Sequence, residues 1–232
     1  MAKNRPKDDW RKERRVGYLE TRKYRYYIFC EGTQTEPKYF NAIKRYIEQN
    51  PVYKDMVLIE IEPCGEGTVK VLQAAENYIA RNKIKSGQVW CVYDKDDFPD
   101  KGFNAVPERM LMLNSMNDRL QYRAAWSNQS VELWFVLHFA YYASDNHRSE
   151  YIDFLNKKFQ ELGVGSYKKN MSNVFDILTD KGNPVLAQKY AERLLSNAKG
   201  KAPADVKPGT TVHYLVRELA CYLPDGIRNI YL

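Results

Sequence analysis

The sequence predicts an α/β fold in which a parallel sheet flanked by helices is followed by a helical C-terminal part. Short strand-like apolar runs alternate with helical periodicities up to about residue 126, and no clear strand follows. Such alternation is typical of right-handed βαβ units and a parallel sheet. The chain has 232 residues and is 44% hydrophobic, which suits one domain with a substantial core.

The first predicted unit is a strand, a tight turn and a helix. The aromatic-rich stretch Lys23–Cys30 (KYRYYIFC) predicts the strand, and residues 31–33 predict the turn. Thr35 is a candidate N-cap, and Pro37 occupies an early helical position. Apolar side chains then recur at helical spacing as far as Ile47.

The next predicted elements are two strands joined by a helix. Met56–Ile61 predicts a strand, and Val69–Lys83 predicts a helix with one apolar face. Gln88–Tyr93 is nearly all apolar, as expected of a central parallel strand that is covered on both faces. The turn Gly65–Thr68 is either structural or able to cradle a phosphate, although it lacks the Lys-Ser/Thr of a Walker motif.

Helices dominate the remainder of the chain. A helix is predicted over Pro107–Arg119, a fourth strand over Tyr122–Trp126 and a further helix over Val131–Tyr142. The later periodicities predict four more helices, at Glu150–Leu162, Asn173–Thr179, Pro184–Ala198 and Thr210–Tyr222.

The net charge of +7 is concentrated near the N-terminus. Residues 1–25 hold ten Lys or Arg and four Asp or Glu, a balance of +6. We predict a basic N-terminal arm over 1–22, an α/β domain over 23–142 and a helical region packed on it over 143–232. The arm either holds phosphates without reading sequence or is a solvated tail that aids solubility.

The chain is expected to be a cytoplasmic protein without a membrane partner. Its longest apolar runs are far shorter than the roughly 20 residues of a membrane span. No apolar segment follows the basic start, which argues against a signal peptide. The 4 cysteines include no CxxC pair, so we expect reduced, structural thiols rather than disulfides or a zinc site.

Acidic residues follow three of the predicted strands. Glu31 follows the first strand, Asp94, Asp96 and Asp97 follow the third, and Glu132 lies a little beyond the fourth. Open parallel sheets bind ligands at the carboxyl ends of their strands. Because Mg²⁺ prefers oxygen ligands, these five residues are predicted metal ligands, with Mn²⁺ as a possible substitute. A metal there would neutralise phosphate charge and activate water for in-line attack.

The segments around Cys30-Glu31-Gly32 and Asp94-Lys95-Asp96 resemble the Toprim-type fold over roughly residues 24–130. The resemblance implies that Glu31 acts as the acid/base and that Asp94 and Asp96 hold magnesium. Asp97 is an adjacent carboxylate in the same segment.

Four longer stretches are similar to the RloB-like family. They are CEGTQTEPKYF (30–40), VYDKDDF (92–98), WSNQSVELWFVLHF (126–139) and PGTTVHYLVREL (208–219). The resemblance implies a nuclease-like effector of anti-phage defence or abortive infection that works with an ABC- or AAA-type ATPase encoded nearby. It leaves RNA, tRNA and DNA open as substrates. Glu132 and His138 belong to this resemblance rather than to the Toprim core.

Three polar residues are candidate substrate-binding groups, each with a structural alternative. Lys95 lies between two aspartates and is either a phosphate contact or a solvated charge. Asn128 either orients substrate or caps a helix. His138 either serves the site or is a structural histidine. Glu36 is interpreted as a first-turn carboxylate that favours the helix dipole.

The catalytic prediction is a metal-dependent nuclease that uses Glu31, Asp94 and Asp96. Its main alternative is a non-catalytic component that binds nucleic acid or docks an ATPase. A third hypothesis is a phosphohydrolase of small molecules.

Overall fold

The computed structural model describes residues 23–65 and 67–232, and the predicted arm lies outside them. The described chain folds around a five-stranded sheet with the order β2-β1-β3-β4-β5, in which the first four strands are parallel and β5 is antiparallel to β4. The strands are β1 (Tyr24–Cys30), β2 (Val57–Pro63), β3 (Gly87–Asp94), β4 (Leu120–Asn128) and β5 (Gly209–Thr210).

Helices connect the strands and make up most of the C-terminal part. They are α1 (Thr35–Gln49), α2 (Thr68–Arg81), α3 (Asp100–Met116), α4 (Glu132–Leu137), α5 (Arg148–Glu161), α6 (Val174–Lys181), α7 (Pro184–Asn197), α8 (Val212–Ala220) and α9 (Asp225–Tyr231), with a short 3₁₀ turn at Pro203–Asp205. Among the described helices, none combines the length and the apolarity that crossing a bilayer requires.

The sheet separates two hydrophobic cores. Along β1, Ile28 packs into one core and Phe29 into the other, as expected when successive side chains of a strand point to opposite faces. The larger core also contains Trp134 of α4 and Leu215 of α8. The helical C-terminal part therefore packs against the sheet. The domain boundary predicted after residue 142 stays a prediction.

The α/β prediction is confirmed, with four differences in detail. The strand β5 and the helix α9 were not predicted, and β5 contradicts the expectation of no strand after residue 126. The helix α3 begins at Asp100, so that Pro107 lies inside it. The helix α4 ends at Leu137, well before Tyr142. All four cysteines are free, as predicted.

Gly87 is required where β3 begins beside β1. Its φ of +134° lies in a region that L side chains rarely adopt, and a Cβ would lie 2.9 Å from the Arg25 carbonyl oxygen. We expect Gly87→Ala to lower the free energy of unfolding by about 1–3 kcal/mol, measured by urea denaturation. Gly226→Ala is the matched control, because nothing lies within 4 Å of a Cβ in α9. Equal stabilities of the two variants would contradict the prediction.

Candidate functional site

Acidic side chains meet in one cavity at the carboxyl-terminal edge of the sheet. The register aligns Cys30 with Val92 and Asp94 with Ser127, so β1, β3 and β4 end side by side. The cavity has a volume of about 270 Å³. Its charged lining residues are Glu31, Glu36, Asp94, Asp96, Glu132 and Lys169.

Glu31 is held at the end of β1 by contacts with two neighbouring segments. Its backbone N–H donates to the Val92 carbonyl at 2.8 Å, and its Oε2 accepts the Asp94 N–H at 3.0 Å. The Thr68 hydroxyl donates more weakly to the carboxylate, at 3.4 Å to Oε2. Burial, opposed by these hydrogen bonds and assisted by the charge of Asp96, raises the pKa of Glu31. A raised pKa suits a carboxylate that exchanges protons near neutral pH.

Asp94 and Asp96 each present a carboxylate oxygen that has no hydrogen-bond partner. The Oδ1 atoms of both residues are buried and unpaired. Burial, followed by the charges of Glu36, Glu132 and Asp96, raises the pKa of Asp94 well above its ordinary value. Such buried, unsatisfied carboxylates are costly to the fold, and clusters of them mark functional sites.

Asp94, the last residue of β3, and Asp96, in the loop that follows, both line the cavity. Asp96 has a φ of +38°, a conformation that aspartate tolerates better than most residues, and its N–H donates to the Gln129 carbonyl at 2.9 Å. The neighbouring Lys95 N–H donates to the Ser127 carbonyl at 2.8 Å. These bonds tie the loop to the end of β4.

Glu132 is buried at the start of α4 and has specific partners. It accepts the Ser130 hydroxyl at 2.7 Å and the Tyr167 hydroxyl at 2.9 Å. The Lys169 ammonium lies 3.8 Å from its Oε1. The structure therefore brings Glu132 into the same cavity as Asp94 and Asp96, although it follows a different strand in the sequence.

Glu36 is an acidic residue of the cavity that the sequence interpretation did not place there. It lies in the first turn of α1, as interpreted from the sequence, and its side chain is buried in the cavity. Burial, opposed by backbone hydrogen bonds and followed by the charges of Glu132 and Glu31, raises the pKa of Glu36 to about 7. Its carboxylate occupies the space that a Cβ on Gly32 would fill. Because Gly32 has no side chain, the Glu36 carboxylate can fold back onto the end of β1. The glycine that directly follows Glu31 was therefore the sequence signal for this second glutamate.

Lys95 and Asp97 do not line the cavity. The Lys95 ammonium donates to the Phe98 carbonyl and pairs with Asp100 at 3.0 Å, so it closes its own loop. Asp97 is exposed in the same loop. Their assigned roles in substrate and metal binding stay predictions.

Asn128 and His138 also lie outside the cavity lining. The Asn128 side chain is buried and donates to the Ala204 carbonyl at 3.0 Å. His138 is buried against the Trp134 ring, and burial lowers its pKa to about 4. The placement of His138 agrees with its structural alternative. Asn128 is the last residue of β4 and caps no described helix, so the helix-cap alternative is wrong. Substrate binding by the two residues stays a prediction.

The donor set suits a hard cation that retains water. Carboxylate oxygens are the preferred ligands of Mg²⁺, and the unpaired Oδ1 atoms of Asp94 and Asp96 are free to accept one. Within residues 23–65 and 67–232, no three Asp, Glu, His or Cys side chains already form a group able to hold an ion. Mg²⁺ commonly binds through one or two carboxylates and keeps several waters, so the site fits this mode rather than an all-protein cage.

Comparison with known proteins gives one match. No curated protein and no solved structure matches the chain significantly. The family model described as RloB-like protein matches residues 26–219, which include all the acidic residues of the cavity. The chain therefore belongs to the RloB-like family.

Proposed function

We propose that this chain is a metal-dependent nuclease of Toprim type that hydrolyses phosphodiester bonds in RNA, tRNA or DNA. The observation that carries the proposal is the cavity at the sheet edge, where Asp94 and Asp96 present buried, unpaired oxygens beside Glu31 and Glu132. A fold retains unsatisfied carboxylates at a cost to stability, and a cation-dependent function accounts for their retention.

Asp94 and Asp96, whose Oδ1 atoms are unpaired, are the residues that would hold Mg²⁺, or Mn²⁺ in its place, and Glu31 and Glu132 lie beside them in the cavity as further proposed ligands. A bound divalent ion would supply charge neutralisation at the phosphate and a lower pKa for its water. Glu36 lies in the same cavity, and its pKa of about 7, raised by burial and then by the charges of Glu132 and Glu31, leaves it only partly ionised at neutral pH. The acidic wall therefore favours cations and, without one, repels phosphate.

Glu31 is the proposed proton-transfer group. Its Oε2 accepts the Asp94 N–H, which fixes the carboxylate at the end of β1, and Thr68 supplies a second donor. In the proposed reaction, water attacks phosphorus while the Glu31 carboxylate takes a proton from that water. The bond from phosphorus to the leaving sugar oxygen breaks, and that oxygen takes up a proton from solvent. The raised pKa of Glu31 brings its proton affinity closer to that needed at neutral pH.

The proposed biological setting is anti-phage defence in the cytoplasm, with an ABC- or AAA-type ATPase as partner. Membership of the RloB-like family supports this setting. A non-catalytic role in nucleic-acid binding or ATPase docking is the second candidate. It is favoured by the pairing of Arg148 with Asp96 and by the lack of a preformed group of three metal ligands in the described part of the chain.

Cleavage is expected to require Glu31. Purified protein should be incubated with tRNA, other RNA and DNA, with Mg²⁺ or Mn²⁺ and with chelator, in the presence and absence of the partner ATPase. We expect Glu31→Gln to reduce cleavage by at least about 100-fold, because a positioned acid/base contributes 10²–10⁴-fold. Glu161→Gln is the control, since that glutamate is exposed and pairs only with Lys158 among the described contacts.

Retained cleavage in folded Glu31→Gln protein would sink the assignment of Glu31. If wild-type protein cleaves no nucleic acid with the ATPase present and calorimetry shows no carboxylate-dependent Mg²⁺ binding, the non-catalytic candidate replaces the nuclease. Hydrolysis of a generic phosphate ester alone would indicate a small-molecule phosphohydrolase.

A further inference from the structure

Two cations from the helical C-terminal part pair with carboxylates that line the acidic cavity. Lys169 lines it, with its ammonium 3.8 Å from Glu132 Oε1. Arg148 pairs its guanidinium with Asp96 Oδ2. Both are held close to the carboxylates by segments that lie outside the parallel strands.

Hydrogen bonds to the backbone carbonyls of residues 169 and 170 hold Lys169 at the edge of the cavity. Its backbone carbonyl accepts the Thr35 hydroxyl at 3.1 Å, and the next carbonyl, of Asn170, accepts the Lys38 ammonium at 2.7 Å. Nearby, the Tyr167 hydroxyl donates to Glu132 at 2.9 Å. The side chain of Lys169 remains 52% exposed, and its 3.8 Å ion pair is longer than a hydrogen bond. The ammonium is therefore positioned by its backbone and is free to change partner.

Arg148 occupies a place that helix stability does not favour for a cation. It is the first residue of α5, where the helix dipole favours negative charge. Its backbone N–H donates to Gln129 Oε1 at 3.1 Å, which fixes the residue next to the β4 end. Its side chain is 36% exposed, so the guanidinium is accessible from solvent. A guanidinium in this place is suited to bidentate binding of a phosphate.

We propose that Arg148 and Lys169 bind the phosphodiester backbone next to the scissile phosphate, a role that rests on the proposed nuclease function. A polyanion that approaches the wall of carboxylates needs cations at the rim. When Asp96 and Glu132 are engaged by a divalent cation, Arg148 and Lys169 lose their carboxylate partners and can pair with phosphate oxygens instead. The two residues thus orient the substrate, and Lys95, which is bound within its own loop, does not.

The test is binding of labelled tRNA and of a labelled single-stranded DNA, measured by fluorescence anisotropy in a Glu31→Gln background at several salt concentrations. We expect Lys169→Ala and Arg148→Gln each to weaken binding roughly 10- to 100-fold. Each should also reduce the salt dependence by about one ion. In cleavage assays, KM should rise more than kcat falls.

Matched controls separate this role from a structural one. Lys181→Ala and Arg228→Gln remove cations that pair with Asp180 and Asp225 in other helices, and both should bind like the parent. Arg148→Lys keeps the charge, so it should retain the salt dependence while losing part of the affinity. Melting temperatures identify any variant that has lost its fold, and for such a variant the charge-conserving substitution, Arg148→Lys or Lys169→Arg, decides.

The outcomes distinguish this inference from the proposed function. Wild-type cleavage together with control-like binding by Arg148→Gln and Lys169→Ala overturns the phosphate role alone. Binding that depends on the two cations, without cleavage by wild-type protein under any condition, supports the phosphate role and overturns the nuclease. Absence of both binding and cleavage overturns both.

Discussion

Asp94→Asn is expected to abolish cleavage and at the same time to raise the melting temperature. Asp94 is partly buried, its Oδ1 is fully buried without a partner, and Glu36, Glu132 and Asp96 add negative charge around it. Asparagine has nearly the same shape but no charge, so the repulsion disappears. We expect a gain on the order of 1–3 kcal/mol, because an unsatisfied buried group carries a cost of that size. The corresponding rise is roughly 2–10 °C for a chain of this length.

The cleavage rate of Asp94→Asn should fall, although its melting temperature rises. Loss of a proposed metal ligand is expected to reduce cleavage by more than about 100-fold, since even partners that merely orient ligands contribute 10- to 100-fold. Scanning calorimetry with and without Mg²⁺ provides a second readout. Mg²⁺ should raise the melting temperature of wild-type protein and have little effect on Asp94→Asn. Asp153→Asn, at an exposed position of α5, should change neither property.

The stabilisation should also depend on pH. The pKa of Asp94 is raised in the folded protein, so the native state keeps a proton that the unfolded chain releases near its ordinary pKa. The stability associated with this proton is present below about pH 4 and is lost as pH rises through the higher native pKa. The advantage of Asp94→Asn should therefore grow from acid to neutral pH. A variant less stable than wild-type protein at pH 7 would show that Asp94 is a structural group.

The parallel strands and their order along the chain were predictable because their signals are local. β1 and β3 are continuous apolar runs that end at acidic turns, and those ends locate Glu31 and Asp94. The strand β5 has two residues and exists through its pairing with Ser127 and Asn128. No local pattern marks a strand of that length.

The ends of two helices depended on contacts with distant segments. In α4 all six residues are buried, so no polar face marks where the helix stops. The helix ends at Leu137, where the following His138 carbonyl accepts the Asn183 N–H at 2.8 Å. In α3, burial of Phe103 and Val106 extends the helix ahead of Pro107.

The candidate site was predictable in its acidic residues and less so in its cations. The strand-end rule locates Glu31, Asp94 and Asp96 from sequence alone. The inward turn of Glu36 depends on the absence of a side chain at Gly32, a steric fact that periodicity does not contain. Lys169 and Arg148 reach the site through tertiary contacts of the C-terminal part, and their spacing along the chain carries no such signal.

The second large effect is acid destabilisation by two buried histidines. The Nδ1–H of His138 donates to the Trp134 carbonyl at 2.9 Å, and its buried Nε2 has no partner. Neither ring nitrogen of His213 has a partner in its buried position beside Tyr214. Burial lowers the pKa of His138 to about 4. Burial, and then the charge of Arg217, lowers the pKa of His213 to about 4 as well.

The direction of the pH dependence of stability follows from the lowered pKa values of the two histidines. Below pH 6.5 the unfolded chain binds protons that the native histidines refuse, so stability is fully present above that pH and is lost as pH falls toward 4. A shift of this size corresponds to roughly 3 kcal/mol for each histidine. The total is comparable to the lower end of the 5–15 kcal/mol that typically separates native and unfolded states. The raised pKa values of Asp94 and Glu36 act in the opposite sense, so the histidine effect must be isolated by substitution.

The substitution His213→Phe isolates the contribution of one histidine to the pH dependence of stability. The phenylalanine ring fills the space of the imidazole and needs no hydrogen-bond partner. Relative to wild-type protein, the free energy of unfolding of His213→Phe in urea should increase by about 3 kcal/mol as pH falls from 7 to 4. Tyr214→Phe changes the neighbouring ring but retains the imidazole, so its profile should run parallel to that of wild-type protein. A constant difference between His213→Phe and wild-type protein across this range would mean that the native fold accepts the proton. Burial of the ring would then not govern the acid stability of this core.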